Sequence, residues 1–223
     1  MSSDALIEKL VDSPRLGLYV DRLQEVLNCE RRKREQFYRS MREGTKQEFI
    51  NGEVVVHSPV KLKHDLVSGL TYRLVSTYVD RHDLGKTGHE KLLVCLSRND
   101  YEPDVCFFEK TKSAGFTPDQ MRFPAPDFVA EILSQSTEVV DEGVKFDDYA
   151  AHGVREYWIL DPDAEVVEQY VLAGDVHTLR LKMDSGVIRS EVIGGFEAPV
   201  RALFDEQENL NAMRSILVAQ QPR

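Results

Sequence analysis

From about Leu16 to Met41 the apolar positions Tyr19, Leu23, Val26, Leu27, Phe37, Tyr38 and Met41 recur at roughly helical spacing, interrupted by the charged run ERRKRE. This predicts an N-terminal helical arm. Arg31, Arg32, Lys33 and Arg34 could contact phosphates, but Glu30 and Glu35 beside them favour a solvated helix face. The pattern then changes in QEFINGEVVVHSP, where two β-favouring runs flank Asn51-Gly52, a dipeptide suited to the positive φ angles of a type I′ turn. A β-hairpin is expected there. Leu62, Leu66, Leu70 and Leu74 next recur every four residues beside Val67 and Tyr78, which gives a helix with one apolar face. Gly85 and Gly88 break this pattern before new strands begin.

KLLVCLS, EPDVCFFEK and DFVAEILS are short, apolar and bounded by Asn, Asp, Pro and Gly, as strands of a mostly buried sheet should be. A helix is expected from near Thr137, through Val140, Val144 and Tyr149, stopping at Gly153. REYWILDP reads as a buried strand, EVVEQYVL, HTLRLKM and VIRSEVI as further strands, and LNAMRSILVAQ as a closing helix. The order describes an α/β domain whose mixed sheet packs against helices.

A chain of 223 residues can build one substantial core, and 42% hydrophobic with 30% charged residues is the balance of a folded globular protein. The net charge of -10 opposes non-specific nucleic-acid binding unless basic groups gather locally. Cys29, Cys95 and Cys106 show no metal or redox spacing, and the last two sit in apolar runs, consistent with a reducing compartment. MSSDALIEKLVDS lacks the basic region of a signal peptide, and no apolar run approaches membrane-spanning length. The expectation is a cytoplasmic protein without membrane contact.

Candidate chemistry begins with Glu131, a carboxylate inside the apolar run DFVAEILS, where an unpaired charge would be costly to bury. Either a cation of the same chain neutralises it or it holds a metal ion. Asp104 opens another apolar run, YEPDVCFF; if the two strands are neighbours, both carboxylates offer hard oxygen ligands to Mg²⁺ or Mn²⁺. Asp141, Lys145 and Tyr149 follow at four-residue spacing and share a helix face, which can bring Lys145 beside Glu131. There the lysine serves either as a buried ion-pair partner or as a stabiliser of charge in phosphodiester hydrolysis. His89-Glu90 lacks the second histidine of a zinc-protease helix, and no nucleophile elbow, phosphate loop or dinucleotide fingerprint is present.

EPDV, then PDFVAEILSQST, then DEGVKFDDYAAHGVREYWILDP together resemble the Uma-two family of endonucleases, a branch of the PD-(D/E)XK, restriction-endonuclease-like superfamily. The resemblance runs from about Glu48 to Tyr170, and its most specific part is the ordered set Glu131, Ser134, Ser136-Thr137, Asp141, Lys145, Tyr149 and Tyr157-Trp158. It implies a restriction-endonuclease-like mixed sheet flanked by helices over residues 46–223, preceded by the helical arm over residues 1–45. It further implies Mg²⁺ or Mn²⁺ held by Asp104 and Glu131, with Lys145 in place of the usual lysine two residues after the acid, a position occupied here by Leu133. Glu53 and His64 match other polar site positions of the family. The implied substrate is nucleic acid, DNA first, cut by a homodimer. A non-catalytic module that keeps the sheet and uses the arm for dimerisation or partner recruitment is the other reading.

Overall fold

The computed structural model describes residues 3–41, 45–134 and 143–218. Two helices lead: α1 (Ser3–Val11) and α2 (Leu16–Ser40). The expected hairpin follows as β1 (Gln47–Ile50) and β2 (Glu53–Val56), with Ile50 paired to Glu53 across a two-residue turn. Asn51 and Gly52 take φ of 51° and 84°, as a type I′ turn requires. Next come α3 (Leu62–His82), β3 (Gly85–His89), β4 (Leu93–Cys95), β5 (Asp100–Tyr101), β6 (Val105–Glu109), a short α4 (Lys110–Ser113), β7 (Arg122–Phe123) and β8 (Phe128–Ile132). After α5 (Val144–Ala151) the chain forms β9 (Glu156–Asp161), β10 (Val166–Ala173), β11 (Val176–Met183), β12 (Val187–Arg189) and β13 (Glu197–Pro199). A 3₁₀ turn (Val200–Leu203) and α6 (Glu206–Val218) close it.

The main sheet has the order β11-β10-β9-β8-β6-β3 and is mixed, since β8 and β9 run parallel while the other neighbours are antiparallel. A parallel pair needs a crossover, and the connection from β8 to β9 carries α5 across one face. The second sheet has the order β2-β1-β5-β4-β7. KLLVCLS therefore contributes to this smaller sheet, whereas the runs bearing Asp104 and Glu131 are neighbours in the main one.

Period-two alternation sorts the core into two layers. Val105, Phe107, Phe128, Ala130, Ile132, Trp158 and Leu160 pack against Val67, Leu74, Val75 and Val79 of α3 and against Ala212 and Ile216 of α6. The opposite face, with Cys106, Phe108, Val129, Tyr157 and Ile159, packs against Tyr149 of α5 and against Ile50, Val94 and Tyr101 of the small sheet. Glu131 has the parity of Val129 and so faces the second layer, between the two sheets.

Three local expectations change. Leu62 is 81% exposed, and the buried face of α3 runs instead through His64, Val67, Leu70, Leu74, Val75 and Val79. A four-residue repeat drifts by about 40° per step on a helix of 3.6 residues per turn, so Leu62 has rotated off the face that its later partners share. Gly85 to His89, read as a break, is an edge strand. A Cβ at Gly85 would meet the Phe108 carbonyl oxygen at 2.0 Å, and one at Gly88 would meet Cys106 Sγ at 2.7 Å, so the glycines permit close pairing with β6. The helix expected from Thr137 is seen from Val144; Ser136, Thr137, Val140 and Asp141 lie outside the described residues.

Arg34 was expected on a solvated face, yet it reaches Asp100 through Nε at 2.7 Å and Nη2 at 2.5 Å and donates to the carbonyls of Leu96, Ser97 and Asn99. Phe37 is buried against Phe49 and Leu93. The last turns of α2 thus pack on the small sheet, while Leu18, Val20 and Leu23 nearer its start remain exposed.

Candidate active site

Glu131 lies within the strand pairing of β8 with β6. Val105 pairs with Ala130, so one further step of the antiparallel register sets Asp104 opposite Glu131. The backbone confirms the approach: Asp104 N–H donates to Glu131 Oε2 at 3.2 Å, and Ile132 N–H donates to Asp104 Oδ2 at 2.9 Å. The side chains of both acids are buried.

α5 crosses this face and brings Lys145 down onto it. Its Nζ lies 3.2 Å from Glu131 Oε1 and 3.0 Å from Glu48 Oε1. Glu48, on β1, is wholly buried; it also accepts the Glu102 N–H at 2.9 Å and contacts His57 Nε2 at 2.9 Å. Burial works against its charge, but Lys145, His57 and the Glu102 N–H outweigh that and bring its pKa down to about 2. Asp104 behaves likewise: burial opposes ionisation, while Lys46 at 2.7 Å and His64 Nε2 at 3.3 Å hold the carboxyl well below the usual range. Lys46 remains firmly protonated because Asp104 and Glu131 outweigh the burial that would neutralise it. Glu102, buried behind the site, is pushed up to about 7, chiefly by that burial, against the Gln47 N–H and Lys46, which favour its charge.

Lys46, His57, His64, Asp104, Glu131 and Lys145 line one cleft of about 220 Å³, with Lys61 and Lys63 on its wall. Asp104, Glu131, Lys145 and His64 come together as the sequence suggested; Glu53 does not. Its side chain is 74% exposed and pairs with Lys33 on the arm. The hairpin register explains this, since Glu53 sits beside the turn opposite Ile50, whereas Glu48 is further down β1 with its side chain turned inward. Glu48 carries the same signal as Glu131, an acid abutting apolar strand residues, Phe49 and Ile50. No local signal marks Lys46, which meets Asp104 from 58 positions away.

Among the described residues no group of three or more His, Cys, Asp or Glu side chains is placed to hold a metal ion. Two buried carboxylates converging on an open cleft nevertheless suit Mg²⁺ or Mn²⁺, which take one or two carboxylates and complete their shell with water and substrate phosphate. The donors are hard oxygens, which fit such an ion and not a thiolate-seeking one.

A family model described as "Putative restriction endonuclease", Uma2, matches residues 34–201. The chain belongs to the Uma2 family. An uncharacterized protein of Synechocystis sp., sll1609, is 29% identical over 133 residues, covering 58% of this chain and 74% of that one. In fold, the chain is similar to a crystal structure from Anabaena variabilis described as a putative nuclease belonging to DUF820, with a TM-score of 0.64 and 17% identity over 76% of this chain and 96% of that one. The Uma2 match begins within α2, at the arginine that ties this helix to the small sheet. The architecture is restriction-endonuclease-like, a mixed sheet with helices on its faces. Among the described residues no helix is long and apolar enough to cross a membrane.

Proposed function

We propose that this Uma2 protein is a divalent-metal-dependent endonuclease acting on nucleic acid, DNA first, in the cytoplasm. The observation that carries the reading is Asp104 opposite Glu131 with Lys145 bridging Glu131 and Glu48 in one cleft. Asp104 and Glu131 would hold Mg²⁺ or Mn²⁺, which when bound supplies Lewis acidity to a phosphoryl oxygen and to an attacking water. Lys145 would set a positive charge beside the phosphoryl oxygens on which negative charge grows. Glu48 fixes that ammonium from the other side, so Lys145 is positioned before substrate arrives. His64, on the first turn of α3, orients Asp104 through Nε2. Lys46 and Lys61 bring positive charge to the cleft of a chain whose net charge is -10, and Lys63 pairs with Asp163 on its wall; the two lysines support a polyanionic substrate.

Purified wild type is expected to nick supercoiled plasmid with Mg²⁺ and to lose this activity with EDTA. Asp104→Ala, Glu131→Ala and Lys145→Ala should each abolish nicking while retaining the far-UV circular dichroism spectrum. Undiminished nicking in any folded one of the three would remove that residue from the mechanism. The exposed apolar residues Leu18, Val20 and Leu23 favour a second role for the arm, in self-association as a homodimer.

A further inference from the structure

Asp104 has little freedom to accept a metal ion without disturbing its neighbours. Its Oδ2 takes the Ile132 N–H at 2.9 Å and lies 3.3 Å from His64 Nε2, so Oδ1 is the oxygen that faces other partners. Lys46 Nζ sits on that oxygen at 2.7 Å. An ammonium and a divalent cation on one carboxylate oxygen would stand within a few ångströms of each other, in a cleft where charges are weakly screened.

The charges of the site point the same way. With His57 and His64 counted as neutral, three carboxylates, Glu48, Asp104 and Glu131, face two ammonium groups, Lys46 and Lys145, leaving one formal negative charge. A divalent ion turns this into one positive charge, and one phosphodiester then cancels it. Lys46 can make the corresponding exchange. It is set just before β1, its stem is a flexible aliphatic chain, and it opens onto the same cleft as Lys61 and Lys63.

We propose that Lys46 is a resident counter-ion that occupies Asp104 before the metal binds, gives up that oxygen to the metal, and transfers its ion pair to a phosphate of the substrate. This rests on the metal-site reading above. Lys46 thereby weakens metal binding in the absence of substrate and strengthens nucleic-acid binding in its presence, which couples the two events. A lysine that only braced the fold would not produce these opposite signs.

The test is a calorimetric titration of Mn²⁺ into the full-length chain, alongside fluorescence-anisotropy binding of a labelled DNA duplex with Ca²⁺ in place of Mg²⁺. Lys46→Met is expected to bind Mn²⁺ about tenfold more tightly than wild type, because a like charge beside the ion is gone. The same variant should bind the duplex about tenfold more weakly. Lys46→Arg should keep the wild-type Mn²⁺ affinity. Lys46→Gln, which keeps a donor to Asp104 without the charge, gives the same comparison should the methionine variant fail to fold. Mn²⁺ affinity that is unchanged or weaker in the folded neutral variants overturns the proposal, as does unchanged duplex binding. Asp104→Asn separates the two levels: if it binds Mn²⁺ as wild type does, the metal-site reading itself fails. If it loses Mn²⁺ while Lys46→Met gains nothing, the failure belongs to Lys46 alone.

Discussion

Replacing Glu48 by glutamine removes one charge from the wholly buried cluster and almost nothing else, because the amide oxygen can still accept the Glu102 N–H. The neutral side chain resembles protonated Glu48, so the cost can be worked from the displacement of its pKa from an ordinary 4.5 to about 2. At about 1.4 kcal/mol per unit this amounts to roughly 3 kcal/mol at neutral pH, part of it the cost of leaving Lys145 with one fewer carboxylate. A folded-state pKa below the unfolded one stabilises the fold above the unfolded value and loses that contribution as pH falls. The stability difference between wild type and Glu48→Gln should therefore be full above pH 4.5 and shrink towards zero near pH 2. Urea denaturation followed by circular dichroism from pH 7 to pH 3 measures this difference directly, with the other acids cancelling to first order. Thermal melts at pH 7 should show a fall of about 6–12 °C. A loss under about 1 kcal/mol at pH 7, or a difference that does not change with pH, would refute the view that Glu48 is an anion held by Lys145 and His57.

Glu102 has the opposite sign: its pKa is raised to about 7, so the stability it contributes below 4.5 drains away as pH rises towards 7. Glu102→Gln should abolish that fall and be more stable than wild type at pH 8 by roughly 2 kcal/mol, after allowance for partial screening; equal pH profiles in urea would contradict it. Arg34→Ala strands the fully buried Asp100 and is expected to cost about 3–5 kcal/mol by chemical denaturation. Glu53→Gln, at an exposed position beside the hairpin turn, should leave Mg²⁺-dependent nicking at the wild-type rate, and a large loss would return Glu53 to the site. On the proposed role of the arm in self-association, the full chain should have the mass of a dimer by light scattering and a chain lacking residues 1–28 that of a folded monomer, whereas deletion through residue 45 also removes Phe37 from its seat on Phe49 and should unfold the body; an unchanged mass in the shorter deletion excludes the arm as a dimer contact.

Much of the architecture is local and was legible in the order of residues. Asn51-Gly52 specifies its turn because few other pairs tolerate two positive φ angles, and the short apolar runs become strands because alternate side chains must enter different layers. The acid within DFVAEILS stood out as a charge in a setting that burial makes costly, and Lys145 on the following helix through its four-residue spacing with Asp141 and Tyr149. For Glu131 the helix spacing already offered Lys145 as a partner, but Asp104 and Asp100 are neutralised by residues far away in the chain. Nothing near Asp104 announces Lys46, and nothing near Asp100 announces Arg34; both pairs exist because β1 and the end of α2 are carried onto the strands by packing. The choice between Glu48 and Glu53 likewise turned on strand register, which sends one acid between the sheets and leaves the other beside a solvent-facing turn. The sequence by itself determined which charges had to be explained. The tertiary structure decided the distant partners, because electrostatic pairing at 3 Å depends on separations in space that local pattern does not encode.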